Sequence, residues 1–327
     1  MTAIPMRTRA AFDLRLAYRL HRFELVGFGL LLLVLVAAAI GAAWALDATG
    51  YGQLCFGQDA GLIAADCVTR EREFYGYQQS LVPMVQGLLL AVPFLLAALV
   101  GAPLVARELE RGTSRLAWSL APSRVRWFGT RVAPAVVVVF ALALVAGLVL
   151  DRLMGATEPG ADAARSFAGF GSRGVVLAAR VVFVLALGIC LGALLGRMLP
   201  ALILTVVIGF VGIAGGSYVH GRWLASEAVV TQSESGGPGD LYIEQRVRAP
   251  DGRILTWYQL EAEAPPPEDG SGADWSGWPP QGYTYVALVV PADRLPFVQA
   301  REVAALAGAS LVFLAVGAAA VARRRPG

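Results

Sequence analysis

Few side chains in this sequence are suited to covalent, acid–base or metal chemistry. All 27 basic residues are arginine, and the absence of lysine excludes a Walker A nucleotide loop and any Schiff-base mechanism. Two histidines, His21 and His220, and three cysteines, Cys55, Cys67 and Cys190, lack the spacing of metal ligands. We therefore expect no catalytic residues, no metal and no cofactor in this chain, and no ATP hydrolysis by the chain alone.

The composition is that of an integral membrane protein. Hydrophobic residues make up 57% of the chain, charged residues 16%, and the mean hydropathy is +0.61. A bilayer core about 30 Å thick is crossed by a helix of roughly 20 apolar residues. Six segments meet this requirement: 25–46, 82–106, 132–150, 174–196, 199–219 and 303–322.

The arginines predict the orientation of these spans. Residues 1–22, residues 107–131, the turn at Arg197 and the tail 323–325 are all net positive, and they alternate with acidic or neutral loops. The positive-inside rule places such segments in the cytoplasm. We therefore predict an all-α polytopic protein with six transmembrane helices and both termini cytoplasmic.

The chain is expected to have four parts. Residues 1–23 predict a cytoplasmic interfacial helix, and residues 24–220 contain the first five transmembrane helices. Residues 221–300 form an extracytoplasmic loop subdomain, and residues 301–327 contain the sixth helix and its basic tail. In the loop subdomain, 241–258 predicts a β-hairpin around Pro250-Asp251-Gly252, and 284–290 predicts a further strand.

The first extracytoplasmic loop contains two cysteines twelve positions apart, Cys55 and Cys67. An extracytoplasmic location permits a disulfide between them. The alternative is a pair of free thiols. Cys190 lies within the fourth span and is expected to pack as an inert residue.

The six predicted spans contain no Asp, Glu or His, and this argues against coupling to a proton or ion gradient. Their one formal charge is Arg180, about six residues inside the fourth span. Two interpretations of Arg180 stay open: the side chain snorkels to the outer headgroups, or it faces a transport cavity. Because a hydrolase would need a nucleophile or an acid–base pair, any energy must come from a partner.

Two cytoplasmic segments are patterned beyond what the positive-inside rule requires. The first has an apolar stripe that includes Phe12 and Leu16, with arginines on another side, so it predicts an interfacial helix. A solvated basic N-terminus is the alternative. The second is ARELERGTSRLAWSLAPSRVRWFGTR, residues 106–131, in which a short helix is expected from Ser114 to about Leu120.

In the order of these features the chain resembles the permease subunits of type-2 ABC exporters, which share the type V exporter fold. The resemblance covers nearly the whole chain and includes 108-ELERGTSRLAWSLAPSR-124 and the large loop between spans five and six. The run 291-PADRLPFVQAREVA-304 resembles actinobacterial members. The interfacial helix would comprise Phe12, Arg15, Leu16, Arg19, His21 and Arg22.

The resemblance implies a transporter powered by a separate ATPase. Two copies of an ABC ATPase subunit would bind ATP and Mg²⁺, and two permease chains, as a homodimer, would enclose a cavity in the bacterial plasma membrane. The segment before span three would be the coupling helix that docks on the ATPase. Its residues would be Glu108, Glu110, Arg111, Gly112, Thr113, Arg115, Trp118, Pro122, Ser123 and Arg124.

The resemblance also implies the class of cargo. Spans two and five would line the cavity, with candidates Phe94, Val206, Phe210 and Ile213, and a cavity without fixed charge suits hydrophobic or amphipathic molecules or peptides. Efflux of drugs or antibiotics is the expected function. Two alternatives stay open: export of a lipid or glycan, or a sensor or accessory subunit that transports nothing. Lipid is the surrounding partner, and no nucleic acid is expected.

Overall fold

The structure is a computed structural model that describes residues 27, 29–56, 65–114, 118, 123–159, 162, 165–233, 236–237, 239–265 and 280–324. Within them, six helices are long and apolar enough to cross a membrane. This confirms the six predicted spans. The spans are α1 (Gly29–Leu54), α2 (Ala65–Glu110), α3 (Arg124–Thr157), α4 (Gly174–Leu195), α5 (Met198–Ser226) and, after a small sheet, α7 (Leu295–Arg323).

Several helices extend well beyond the apolar segments from which they were predicted. The second span was expected at 82–106, whereas α2 has 46 residues, and Asp151 and Glu302 lie within α3 and α7. Helix propensity does not end where hydrophobicity ends, because arginine and glutamate are good helix formers. The predicted spans themselves contain no carboxylate, but the helices that extend them do.

The chain divides into two compact units, and the helices form most of the first, which comprises residues 1–160, 169–215 and 299–327. Its central helix is α4, whose side chains Leu177, Val181, Leu185 and Ile189 are fully or almost fully buried. Residues of α1, α2 and α3 complete this core. In contrast, α5 and α7 expose most of their apolar side chains in the single chain.

Helices α2 and α4 approach each other at the level of the backbone. A Cβ atom on Gly101 would lie 2.7 Å from the carbonyl oxygen of Leu185, and one on Gly188 would lie 3.0 Å from the amide nitrogen of Ala102. A Cβ on Gly192 would meet the carbonyl oxygen of Ala102. Real Cβ atoms essentially never come closer than 3.0 Å, so only glycine fits at positions 101 and 192, whereas a Cβ at position 188 would require its neighbours to shift by a few tenths of an ångström.

The second unit, residues 161–168 and 216–298, contains a four-stranded antiparallel sheet. Its strands are β1 (Val229–Thr231), β2 (Leu241–Arg248), β3 (Ile254–Leu255) and β4 (Thr284–Val290), in the order β1-β4-β2-β3. The predicted strand at 284–290 is present, and β2 and β3 form the predicted hairpin.

The hairpin is shorter than predicted, because residues from Trp257 onward form a helix, α6 (Trp257–Glu263), instead of continuing β3. The Thr256 hydroxyl accepts a hydrogen bond from the Gln259 amide, and the Gln259 side chain accepts one from the Thr256 amide. This reciprocal capping box starts a helix. The T-x-x-Q spacing was the sequence signal for it.

The predicted disulfide between Cys55 and Cys67 is present in the structure. It joins the end of α1 to the beginning of α2, next to a group of aromatic rings in which Tyr51 and Phe74 have centroids 5.1 Å apart. Cys190 is a free, buried thiol in α4, in accord with its expected packing role.

Candidate coupling site at the basic end of the helical unit

The predicted coupling residues cluster at one end of the helical unit, which we call the basic end. It comprises the end of α2, the start of α3, the junction of α4 and α5, and the end of α7: residues 107–114, 118, 123–131, 193–198 and 321–324. Glu108 and Glu110 belong to the last turn of α2, and Arg111 to Thr113 form a turn in which Gly112 has a φ of +70°. Ser114 and Trp118 are helical, whereas Arg115 and Pro122 lie outside the described residues.

Glu108 links α2 to α3. Its carboxylate forms a half-buried ion pair with the guanidinium of Arg131, about two turns inside α3. The main-chain oxygen of Glu108 also accepts a hydrogen bond from the Thr113 hydroxyl at 3.4 Å, across the turn. The carboxylate of Glu108 thus holds the end of α2 to α3, and its main-chain oxygen fixes the turn that follows α2.

Glu110 links α2 to α5. Its carboxylate accepts a 3.0 Å hydrogen bond from the backbone amide of Met198, the first residue of α5. The first amides of a helix have no partner within the helix, and the helix dipole favours a negative charge there. Glu110 therefore caps α5 from outside.

The start of α3 is fixed by Ser123. Its hydroxyl accepts a hydrogen bond from the amide of Arg126 at 3.2 Å, as expected of an N-cap serine. This cap positions Arg124 and Trp127 in the first turn of α3. Ser123, predicted as a coupling residue, therefore acts on the geometry of α3.

Two tryptophans and two arginines form a stack at the basic end, in which the two tryptophans meet and each is flanked by one arginine. The rings of Trp118 and Trp127 meet edge to face with centroids 6.1 Å apart. The guanidinium of Arg124 lies 4.7 Å from the centroid of Trp118, and that of Arg131 lies 5.0 Å from the centroid of Trp127. Cation–π contacts of this kind are attractive within about 6 Å. The stack joins the segment after α2 to the first turns of α3.

Arg124 and Arg324 extend these links to α7 and α4. The guanidinium of Arg124 donates hydrogen bonds to the carbonyl oxygens of Ala322, at 3.3 Å, and Arg324. The guanidinium of Arg324 in turn donates to the carbonyl oxygens of Ala193 and Leu194, both at 3.0 Å. The sequence analysis did not select Arg324, because the 323–325 tail served only as a positive-inside signal.

The four candidate cavity residues divide into two pairs. Phe94 and Ile213 are half-buried and pack against the core of the helical unit. Val206 and Phe210 are exposed in the single chain, Phe210 by 75%. Phe94 and Ile213 thus contribute to helix packing, whereas Val206 and Phe210 present apolar surface on α5.

Arg180 is paired with a carboxylate, a partner that neither interpretation from sequence included. Its guanidinium forms an ion pair with Glu302 of α7, at 2.6 Å between Nη2 and Oε1, and it lies against Gly171. The partner is 122 positions away, at the start of the last helix. Two more ion pairs lie at this end of the unit, Arg173 with Asp151 and Arg152 with Asp47.

Among the residues that the structure describes, no three His, Cys, Asp or Glu side chains converge into a group that holds a metal ion. The six residues of the predicted interfacial helix, from Phe12 to Arg22, lie outside the described part of the chain.

A comparison with protein families gave one match. A family model described as "ABC-2 membrane transporter related" matches residues 25–219, which include the first four spans, most of α5 and the whole segment between α2 and α3. Neither the curated proteins nor the solved structures gave a match.

Proposed function

Because the chain belongs to the ABC-2 membrane transporter related family, we propose that it is the permease subunit of an ATP-driven exporter. The family and the six apolar helices make it a multi-pass membrane component of an ABC transporter. Membership of the family implies pairing with an ABC ATPase subunit, and the lack of lysine in this chain leaves the P-loop to that partner.

The observation that supports this proposal best is the set of links at the basic end. The end of α2 is tied to α3 by Glu108 and to α5 by Glu110, and the start of α3 is tied to the end of α7 by Arg124. A push on the segment between α2 and α3 is therefore expected to reach α5 and α7 as well. That is the property required of a coupling segment which converts movement of a soluble ATPase into movement of transmembrane helices.

In the proposed mechanism, two ATPase copies bind ATP and Mg²⁺ and close on each other beneath a permease homodimer. Closure displaces the two coupling segments, and the helices switch a central cavity from inward to outward access. We propose that the basic end and both termini lie in the cytoplasm of a bacterium, with the helices in its plasma membrane. The short arginine-rich segments support this orientation by the positive-inside rule.

The proposed cargo is hydrophobic or amphipathic: small molecules or peptides, including drugs and antibiotics. The core of the helical unit contains few charged side chains, and Arg180, the one charge of the predicted spans, is paired with Glu302. The exposed faces of Val206 and Phe210 are suited to line a cavity completed by the second copy. Such a cavity favours apolar molecules, because no fixed charge in it compensates the desolvation of an ionic one.

The test is to purify the tagged chain from its own membranes in a mild detergent and to identify the proteins that accompany it by mass spectrometry. A soluble ATPase with a P-loop is expected in near-stoichiometric amount. The complex is then assayed in liposomes for ATP hydrolysis stimulated by apolar compounds. Recovery of no ATPase, in a preparation that preserves a control ABC complex, would contradict the proposal and favour a sensor or accessory subunit.

A further inference from the structure

Two guanidinium groups in series connect three helix ends at the basic end. Arg124 of α3 donates to the carbonyl oxygen of Arg324, and the side chain of the same Arg324 donates to the last carbonyls of α4. Arg324 is therefore an acceptor through its main chain and a donor through its side chain. Removing its side chain interrupts the link to α4 but leaves the link from Arg124 to α7.

The chemistry of these links suits helix ends. The last four carbonyls of a helix have no partner within the helix, and the helix dipole makes that end negative. Arginine has five donors in a rigid fork and stays charged, so one guanidinium serves two carbonyls at once. Ala193 and Leu194 provide this pair of acceptors at the end of α4.

The Arg324 side chain lies close against the backbone at the end of α4. Gly196 ends α4 with a φ of +64°, and a Cβ on it would lie 2.7 Å from Nη1 and 2.8 Å from Nη2 of Arg324. A methyl group at position 196 would therefore displace the guanidinium. The neighbouring Arg323, in the last position of α7, has an exposed side chain and makes a matched contrast.

We infer that Arg324 is a positioning residue for the ATP-driven movement, which holds the end of α4 to the coupling segment through Arg124. When the ATPase displaces the segment after α2, the ends of α7 and α4 move with it instead of sliding past it. This inference rests on the proposed function. The contacts that Arg324 makes with α4 and Arg124, however, are a property of the chain alone. These contacts and the proposed function can therefore be tested separately.

The thiol of Cys190 reports on the contact between α7 and α4. Cys190 is a buried free thiol one turn before Ala193, and Cys55 and Cys67 are blocked in the disulfide. A Cβ on Gly317 of α7 would lie 3.4 Å from the Cα of Cys190, so α7 covers this part of α4. Loosening α7 from α4 exposes the Cys190 thiol.

The first measurement is the rate at which N-ethylmaleimide, a small membrane-permeant reagent, labels Cys190 in the full chain. R324A is expected to raise this rate by roughly 2- to 30-fold, the range for losing a coupling contact. R323A removes one positive charge, as R324A does, and is expected to leave the labelling rate of Cys190 unchanged. R324K keeps the charge and should give a rate between those of wild type and R324A.

A second variant tests the contact without changing charge. G196A is expected to accelerate labelling as R324A does, because its methyl group displaces the guanidinium. Its control is G252A, which has the same left-handed backbone type, with φ of +87°, and open space around the added Cβ. Equal labelling of R324A and wild type, or equal acceleration by R323A, would overturn the inference.

The second measurement tests transmission in the complex with the ATPase. Spin labels at the exposed positions Ile40 in α1 and Val312 in α7 report a distance with and without vanadate-trapped nucleotide. R324A and G196A are expected to lose most of the nucleotide-dependent change, while ATP hydrolysis continues. R323A and G252A should retain it.

The two measurements separate the possible failures. No nucleotide-dependent change in the wild-type complex, with Cys190 still exposed by R324A, contradicts the proposed function and leaves the tie intact. If R324A shows the full nucleotide-dependent change in the spin-label distance although Cys190 is labelled faster, the role of Arg324 in transmission is contradicted.

Discussion

Arg180 and Glu302 form a largely buried ion pair that joins α4 to α7 at the end of the helical unit opposite the basic end. Both the Nε and the Nη2 atoms of Arg180 contact Oε1 of Glu302, at 2.7 and 2.6 Å. The side chains are only 15% and 11% exposed. Helices α4 and α7 are thus connected at both ends, by Glu302 at one and by Arg324 at the other.

Removing one partner of this pair is expected to be strongly destabilising. Glu302→Gln leaves the Arg180 guanidinium buried without its counter-charge, and we expect the free energy of unfolding to fall by about 3–5 kcal/mol. Denaturant titration of the purified chain in detergent measures it. The charge swap R180E/E302R should recover part of the loss.

An exposed ion pair provides the control for this effect. Arg165, with its side chain 81% exposed, lies 3.9 Å from Asp162. Arg165→Ala is expected to cost no more than about 1 kcal/mol. A loss as small as this for Glu302→Gln would mean that water reaches the buried pair.

A second prediction concerns the link between Glu108 and Arg131. E108R places two guanidinium groups together, so we expect ATP hydrolysis by the complex to become independent of transport cargo, while the chain still inserts. R131E should have the same effect, and the double variant should restore coupling, since the pair is re-formed with its charges exchanged. Cargo-stimulated ATP hydrolysis in liposomes is the measurement.

Arg126 provides the matched control at the same end of α3. Its side chain is exposed, and R126E reverses a charge as E108R does. R126E is expected to retain cargo-stimulated hydrolysis. If the E108R/R131E double variant were no better than the single ones, Glu108 would act through contact with the ATPase and not through Arg131.

A third prediction concerns the disulfide. Because it closes a loop of twelve positions, replacing Cys55 and Cys67 by serine is expected to lower the free energy of unfolding by roughly 3 kcal/mol. In the intact native chain, a thiol reagent should label neither cysteine until a reductant is added. Labelling of both without reductant would contradict the disulfide, and C190S provides the background in which the assay is clean.

A fourth prediction is the pH dependence of the β2–β3 hairpin. Hydrogen bonds from Arg253 hold the pKa of Asp251 below its ordinary value of 3.8. A carboxyl with a lower pKa in the folded state stabilises the fold above the unfolded pKa, and the contribution is lost as the pH falls through the folded pKa. We therefore expect the hairpin to loosen below about pH 4.

Hydrogen–deuterium exchange of residues 247–255, corrected for the intrinsic rate, measures this loosening in the full chain. D251N is the control, since it has no carboxyl to titrate in the turn and should lose this component of the pH dependence. An unchanged pH dependence in D251N would assign the effect to another group.

The apolar runs and the local turn signals were sufficient to predict the six long helices and strands β2, β3 and β4, but not α6 or β1. The six helices follow from runs of apolar residues, and strand β4 follows from TYVALVV at 284–290. The helix at Trp257 was missed because aromatic residues favour strands, whereas the capping box at Thr256 decided the local structure.

The partners of the charged residues were not predictable from a single sequence. Arg180 and Glu302 are 122 positions apart, and Arg124 and Arg324 are 200 apart. Neither periodicity nor spacing relates residues over such distances; only the packing of α4 and α7 brings them together. The proximity of Glu108, Ser123 and Arg124 was predictable, because these residues lie close in sequence, and their role in coupling stays a prediction.

The glycine contacts between α2 and α4 have a mechanical consequence. At Gly101, Gly188 and Gly192 the backbones of α2 and α4 come so close that no side chain separates them at these points, and we expect the two helices to move as one body. The 22 residues of α4 span about 33 Å at 1.5 Å per residue. A small tilt at the basic end is therefore expected to displace Arg180 sideways, near the other end of α4.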